Sequence, residues 1–122
     1  MNPQPAFAAT DPPAMAARVF DLDHRRIVQA LAGRSRYKYV HPRIVSAAEG
    51  AGWQVFSPNC SRNVDPAGGE IPIAWFEPVE DGRWRLLARD HVSACWVVHA
   101  EDLTLPQALA LVREDPAREF WV

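Results

Sequence analysis

The sequence has few cysteines, no long apolar run and little net charge, and each shortage excludes a class of protein. Two cysteines in 122 residues are too few to staple a small secreted domain, so we expect reduced thiols and a cytoplasmic location. No stretch approaches the roughly 18 consecutive apolar residues of a membrane-spanning helix, and the N-terminus lacks a signal-peptide pattern, so we expect no membrane partner. A formal net charge of -2 argues against strong nonspecific nucleic-acid binding by the whole molecule.

What remains is the composition of one globular domain. Hydrophobic residues make up 48% of the chain and charged residues 23%, which is close to the usual balance. A chain of this length buries enough surface for one core. Four prolines among the alanines of residues 1–17 cannot keep a helix or offer a large apolar face. We therefore predict a disordered leader at 1–17 and a single α+β domain at 18–122.

A first helix is predicted near the start of this domain. Asp21 fits the helix N-cap, because its short side chain can accept a hydrogen bond from a free backbone N–H. The apolar residues Ile27, Val28 and Leu31 then recur at helical spacing. Gly33 is a typical stop signal, so this helix is short and amphipathic.

A second helix is predicted near the C-terminus. Thr104 and Gln107 form a capping box, in which each side chain satisfies the backbone N–H of the other residue. The helix must end before Pro116, which cannot continue it. The final pair, Phe120-Trp121, is too apolar to remain in water, so we predict that the C-terminus folds back onto the sheet.

Between the two helices the chain changes to short β-branched and aromatic runs separated by turn residues. This texture is typical of consecutive antiparallel strands. We predict five strands, at roughly 37–46, 52–57, 70–77, 83–91 and 95–100. The Asp81-Gly82 pair predicts a tight hairpin turn, because glycine accepts the positive φ that such a turn needs. The predicted fold is α+β, an antiparallel five-strand meander with an N-terminal and a C-terminal helix packed on one face.

The register of the last hairpin decides which side chains face the helices, because a slip of one residue exchanges the two faces of a strand. A three-residue loop would give these pairs: His91 with Cys95, Arg89 with Val97, and Leu87 with His99. The opposite face would then be wholly apolar. On that basis we predict that Trp84 and Trp96 both lie in the core.

This order of elements resembles a family of small bacterial proteins classed only as a domain of unknown function. The shared points are a tryptophan in the fourth strand, a tryptophan and a histidine in the fifth, an Asp-Pro pair and a terminal aromatic pair: Trp84, Trp96, His99, Asp115-Pro116 and Phe120-Trp121. The resemblance covers roughly residues 20–122. It implies the fold and supplies no activity.

A polar loop at 57–69, SPNCSRNVDPAGG, interrupts the predicted strands. Turn chemistry explains its Asn, Asp, Pro and Gly residues, but it does not explain Cys60 or Arg62. The planar guanidinium of Arg62 suits a carboxylate or phosphate, either an internal acid such as Asp90 or an external anion. We predict a non-enzymatic binding or protein-interaction module, with a protein partner or a second copy of the chain. The candidate binding residues are Arg62, Asn63, Asp65, Arg89, His91 and His99.

A cysteine-dependent enzyme is the first alternative. A thiolate nucleophile needs a nearby base or positive charge, and His91 or His99 would serve Cys60 as the base. Asp90 or Asp65 would orient that base, which makes Cys60, His91 and Asp90 the catalytic candidates. Against this alternative, no known nucleophile signature surrounds Cys60, and lone cysteines usually pack as small apolar residues.

A zinc site is a further alternative on similar residues. His91, Cys95 and His99 lie four apart and share a face in the predicted register, and Cys60 would complete a set of four ligands. However, no close pair of the Cys-x-x-Cys kind anchors such a site. We therefore predict no metal and no cofactor.

Nucleic-acid binding is the second alternative, through the basic stretch 25–43. No acid occurs from 24 to 48, and basic residues alternate with tyrosines, a pattern that suits phosphate neutralisation and base stacking. The candidate residues are Arg34, Arg36, Tyr37, Lys38 and Tyr39. Residues 49–82 carry six acids and one basic residue, so the opposite charges can also neutralise each other, and we do not favour this alternative.

Overall fold

The computed structural model describes residues 14–33, 41–59 and 69–121. Two helices and five strands follow one another in these ranges: α1 (Ala14–Ala32), β1 (Arg43–Ser46), β2 (Trp53–Pro58), β3 (Glu70–Pro78), β4 (Trp84–Asp90), β5 (Cys95–Leu103) and α2 (Leu105–Glu114). The strands form one sheet in the order β1-β2-β3-β4-β5, and every neighbouring pair is antiparallel. The predicted α+β meander is confirmed. Within the described ranges neither helix has the length and apolar character needed to cross a membrane.

Helix α1 begins earlier than the sequence predicted. It starts at Ala14, so Asp21 lies inside the helix and the predicted N-cap is wrong. Residues 14–17 are three alanines and a methionine, which are strong helix formers, and they extend the helix into the segment predicted as leader. Residues 1–13 lie outside the described ranges. Two residues of the predicted apolar stripe, Ile27 and Leu31, are fully buried, but the third, Val28, is 43% exposed, so its predicted place on the stripe is wrong.

Helix α2 begins and ends as predicted. The backbone N–H of Gln107 donates to Thr104 Oγ1 over 3.3 Å, and the backbone N–H of Thr104 donates to Gln107 Oε1 over 2.9 Å. These two bonds are the predicted capping box. The helix ends at Glu114, and Asp115 then adopts a left-handed conformation with φ of 44°.

The buried carboxylate of Asp115 closes the C-terminus. It is 1% exposed and accepts hydrogen bonds from the backbone N–H groups of Glu119, Phe120 and Trp121, over 2.7 to 3.3 Å. The indole N–H of Trp121 donates to the carbonyl of Val112 over 2.8 Å. Phe120 and Trp121 are 1% and 5% exposed, so the predicted return of the C-terminus is confirmed.

One core lies between the helices and the face of the sheet that they cover. It joins residues of both helices, of the strands and of the C-terminal segment, and its largest members include Phe76, Phe120, Ile27, Leu31, Ile73 and Leu86. Trp84 belongs to this core as predicted. The turn predicted at Asp81-Gly82 is also present, since these residues have φ of 61° and 68°.

The turn between β4 and β5 is one residue longer than predicted. Asp90 pairs with Cys95, so the turn spans residues 91–94 and the predicted pairing of His91 with Cys95 is wrong. The reason lies in the turn itself. Asp90 Oδ1 accepts hydrogen bonds from the backbone N–H groups of Val92 and Ser93, over 3.1 and 3.3 Å. Ala94 completes the turn with φ of 56°.

The longer turn exchanges the faces of β5. Trp96 lies opposite Arg89, on the face of the sheet away from the helices, so its predicted place in the core is wrong. Its ring instead meets the edge of Trp75, with 5.6 Å between ring centroids. His99, predicted on the outer face, lies toward the core, with its ring 5.2 Å from that of Phe120.

Candidate functional site

The face of the sheet away from the helices carries a group of aromatic and polar side chains, here named the outer cluster: Glu49, Gln54, Trp75, Arg89 and Trp96. Strand pairing places them side by side. Gln54 lies opposite Trp75, and Arg89 lies opposite Trp96. Leu87 and Val98 continue the row that begins at Gln54 and Trp75. The cluster therefore spans the sheet from β2 to β5.

The loop between β1 and β2 folds over this face and holds the cluster together. Glu49 accepts a hydrogen bond from Gln54 Nε2 over 2.9 Å and another from Trp96 Nε1 over 3.1 Å. The indole N–H of Trp75 donates to the carbonyl of Ala51 over 2.8 Å. Gly52 allows the close approach, because it has φ of 94° and a Cβ there would overlap the carbonyl of Phe76.

Trp96 is fixed from three sides. Glu49 accepts its indole N–H, Trp75 packs against it edge to face, and the guanidinium of Arg89 lies over its ring, 5.1 Å from the centroid. A cation over an indole ring is an attractive contact, and it also keeps the arginine head in place. Trp96 remains half-buried rather than buried, so part of its ring faces solvent.

Glu49 is a carboxylate at neutral pH. The hydrogen bond from Gln54 is the main cause of the lowered pKa of Glu49, and the bond from Trp96 and the charge of Arg89 act in the same direction. Partial burial opposes them without reversing the shift. The cluster thus holds a carboxylate at the N–H edge of one indole and a guanidinium over its face.

His91 stands beside this cluster in the turn that follows β4. Burial lowers its pKa, and the charge of Arg89 adds to that effect while Asp90 opposes it. The imidazole is therefore neutral at pH 7. Its Nε2 atom is buried and has no hydrogen-bond partner within the described part of the chain. No group there orients His91 as a general base.

Strand β5, which lies at one edge of the sheet, is open to solvent on both faces. Val97 and Val98 point to opposite faces and are 49% and 44% exposed. Cys95 is an exposed free thiol whose Sγ lies 3.0 Å from Ser93 Oγ. In the described ranges no backbone group outside β4 pairs with the backbone of β5. Among the described residues, this edge of the sheet is unpaired.

The predicted binding residues fall into three groups. Arg89 and His91 lie together at the turn end of β4, next to the catalytic candidate Asp90. His99 lies apart from them, on the core side, where its Nδ1 is 2.6 Å from Glu119 Oε2. The residues of the polar loop, Cys60, Arg62, Asn63 and Asp65, lie outside the described ranges. Their place beside Asp90 and His91 stays a prediction.

Topology bears on that prediction. The part of the polar loop outside the described ranges, residues 60–68, lies between Asn59 and Gly69, and the backbone N–H of Asn59 donates to the carbonyl of Gly69 over 2.8 Å. In a meander the loop from β2 to β3 and the turn from β4 to β5 lie at the same end of the sheet, and β3 is the neighbour of β4. The anchored ends of the loop therefore lie at the end of the sheet that carries the turn 91–94.

The nucleic-acid candidates Arg34, Arg36, Tyr37, Lys38 and Tyr39 also lie outside the described ranges. Three other basic residues of the same stretch are described, Arg25, Arg26 and Arg43, and the last two face acids. Arg26 lies 3.2 Å from Asp23, and Arg43 lies 2.7 Å from Glu70. These pairs favour neutralisation of the stretch by acids of the same chain.

His91, Cys95 and His99 do not form the zinc-ligand group considered above among the residues that the structure describes. In those ranges no three histidine, cysteine, aspartate or glutamate side chains are arranged to hold a metal ion. His99 contacts Glu119, and Cys95 contacts Ser93. The corrected register is the physical reason, because it removes His91 from its predicted place opposite Cys95.

Sequence reasoning missed Glu49, Gln54 and Trp75 as members of a site. The alternation of β3 carries a signal for Trp75, because Ala74 and Phe76 are core residues and the residue between them must face the other side. No comparable local signal exists for Glu49, since it meets Trp96 across 47 residues of sequence.

Comparison with known proteins identifies a family without an activity. Residues 16–122 match the family described as Domain of unknown function (DUF3024). No curated protein and no solved structure matches the chain.

Proposed function

The chain belongs to the DUF3024 family, whose function is unknown, and we propose from its geometry that it is a non-enzymatic protein-interaction module. In this proposal β5 binds an extended segment of a partner protein as an additional strand of the sheet. The single observation that carries the proposal is the pair of valines at the open edge. Val97 and Val98 are 49% and 44% exposed on opposite faces, and an added strand would shelter both.

The two edges of the sheet differ in a way that supports this role. Proteins protect edge strands by keeping them short, charged or covered. Strand β1 has four residues, and Arg43 at its start is paired with Glu70. His24 on α1 donates from Nε2 to the carbonyl of Ile44 over 3.1 Å. Strand β5 has nine residues, and its first four, Cys95–Val98, carry no charge.

The outer cluster supplies the anchor beside this edge. Tryptophan and arginine are the residue types that contribute most often to binding energy at protein interfaces. Trp96 and Arg89 are held in place by Glu49 and Trp75 before any partner arrives, which lowers the entropic cost of binding. We expect the bound segment to place an apolar side chain against Trp96 and Val98.

The contacts of Glu49, Arg89 and His91 favour binding over catalysis. Glu49 and Arg89 both hold Trp96, and the neutral His91 has no orienting partner within the described part of the chain. A general base usually needs such a partner to fix its tautomer. The alternative of a cysteine-dependent enzyme rests on Cys60 of the polar loop. We propose that the loop serves binding rather than catalysis, with Arg62, Asn63 and Asp65 as an extension of the binding surface.

Selection from a displayed library of random peptides tests this function. We expect the intact chain to enrich extended apolar peptides. Trp96→Ala should abolish their binding, because it removes the anchor. Leu22→Ala is the matched control, since Leu22 on α1 is exposed to a similar degree, 43%, and lies away from β5. Peptides that bind Trp96→Ala as well as the unchanged protein, or no enrichment at all, would contradict the proposal.

A further inference from the structure

We infer that the strand bound by β5 is the β5 strand of a second copy of this chain, paired antiparallel about a two-fold axis at Val97. This inference rests on the proposed function of the edge and adds the identity of the partner. A two-fold dimer needs a surface that is complementary to itself. The first half of β5 has that property, as its sequence, its shape and its charges indicate.

Strand β5 pairs with β4 without a register shift from Cys95 to Val98, and the first shift, at His99, lies at the end of the stretch that would pair. Left-handed residues stand just outside it, Ala94 with φ of 56° before the strand and Asp102 with φ of 56° near its end. Antiparallel pairing about Val97 sets each residue of Cys95–His99 opposite another residue of the same range. That range contains no proline and no permanently charged side chain, which are the usual obstacles to pairing at an edge.

The side chains in this register complement one another. Opposite residues of an antiparallel pair lie on the same face of the sheet. Val97 would face Val97 of the second copy on the helix side, and Trp96 would face Val98 of the second copy on the outer side. The contact of Trp96 with Val98 occurs twice because of the two-fold symmetry. Pairs of an aromatic with a β-branched side chain are among the favourable cross-strand pairs.

Charge selects the antiparallel arrangement. Glu101 and Asp102 lie in the second half of β5 and are exposed. Parallel pairing in register would set each acid opposite its own copy, which is repulsive. Antiparallel pairing about Val97 moves Glu101 opposite Ser93 of the second copy, a neutral residue of the turn, and leaves both acids outside the paired stretch.

The expected dimer is weak. Pairing of five residues on each chain buries less than the roughly 1,200 Å² at the lower end of stable interfaces. A dissociation constant on the order of micromolar or weaker is therefore expected. Association should depend visibly on protein concentration over the range used for sedimentation.

Disulfide trapping tests the register. In a Cys60→Ser, Cys95→Ser background, Val97→Cys would place two thiols opposite each other, with Cα atoms about 4.5–5.5 Å apart. That separation suits a disulfide. Val92→Cys is the matched control, because Val92 is 99% exposed in the turn and is the more accessible of the two valines. We expect Val97→Cys to form a linked dimer under mild oxidation, and Val92→Cys to remain largely monomeric. Cross-linking of Val97→Cys no faster than that of Val92→Cys would overturn the inference.

Sedimentation velocity of the unchanged chain supplies a second readout. We expect a monomer–dimer equilibrium that Val97→Lys weakens about tenfold or more and that Val92→Lys leaves unchanged. A dimer that persists in Val97→Lys would overturn the inference. A chain that stays monomeric at every concentration but still binds selected peptides would overturn the inference and leave the proposed function standing. Absence of both dimer and peptide binding would overturn both.

Discussion

The helix side of the sheet and its β5 edge use the same kinds of side chain in different settings. On the helix side, Ile27, Leu31 and Phe120 are almost fully buried by other parts of the chain. At the edge, Val97 and Val98 remain about half exposed. Apolar surface that a chain covers itself stabilises its fold, whereas apolar surface left at an open edge favours association.

Two tryptophans make the same comparison at the level of single residues. Trp84 is 7% exposed and belongs to the core. Trp96 on the neighbouring strand is half-buried on the outer face, where it is held by Glu49 and Arg89. A residue of the first kind should affect stability when it is removed, and a residue of the second kind should affect binding more than stability.

The largest expected effect is that of Trp84→Ala. Removal of a core tryptophan leaves a cavity that its neighbours cannot fill, and we expect the free energy of unfolding to fall by about 3–5 kcal/mol. Urea denaturation followed by far-UV circular dichroism measures this change. A loss smaller than about 1 kcal/mol would contradict the assignment of Trp84 to the core.

Asp115→Ala should have the next largest effect on stability. The substitution leaves three backbone N–H donors without their acceptor in a buried place, at a cost of at least about 3 kcal/mol. Asp115→Asn is the matched variant. Its amide oxygen can still accept hydrogen bonds, and asparagine tolerates the left-handed conformation, so we expect a smaller loss. Urea denaturation measures the free energy of unfolding of both variants. If it falls equally in the two, the hydrogen bonds to Asp115 are not the reason for the loss of stability.

Trp96→Ala should separate stability from binding. We expect the free energy of unfolding to fall by only about 1–2 kcal/mol, because the ring is half-buried. Binding of selected peptides should be lost in a protein that is still folded. Denaturation and peptide titration on the same sample measure both. If Trp96→Ala destabilises the protein as much as Trp84→Ala, the contrast between core and edge is wrong.

The smallest expected effect is that of Glu49→Gln on stability, and it depends on acid pH. Its pKa in the folded protein is lowered, so its contribution to stability is complete above the ordinary pKa of glutamate and is lost as the pH falls through the folded value. The change is small because Glu49 is exposed. A fluorescence titration should show an acid step from Trp96 that Glu49→Gln lacks. Glu80→Gln, at an exposed glutamate of the β3–β4 turn, should retain the step. A step that survives in Glu49→Gln belongs to another group.

Local patterns were enough to predict most of the fold. The capping box of Thr104 and Gln107 and the Asp81-Gly82 turn act within a few residues, and both formed as predicted. The turn of β4 and β5 differs because Asp90 accepts two backbone hydrogen bonds within a four-residue turn, which Ala94 completes with a positive φ that alanine seldom adopts. That single residue of turn length moved Trp96 from the predicted core to the outer face.

The candidate site was harder to predict than the fold, because it depends on contacts between distant parts of the chain. Arg89, Asp90 and His91 were found from the sequence as the polar end of a strand. Their partners Glu49 and Trp75 were not, since the loop that carries Glu49 meets β5 only after the sheet has formed. Strand pairing is a short-period pattern, whereas a loop folded over a sheet has no period to detect.

Hydrogen exchange of the backbone amides of Cys95–His99 tests the role of the β5 edge most directly. Exchange is measured first at low protein concentration, where the edge is free. It is measured again at high concentration or with a selected peptide, where the edge is occupied. The amides that point away from β4, at alternate positions, should exchange quickly when free and at least about tenfold more slowly when occupied. Unchanged exchange at those positions while binding persists would show that the partner lies elsewhere.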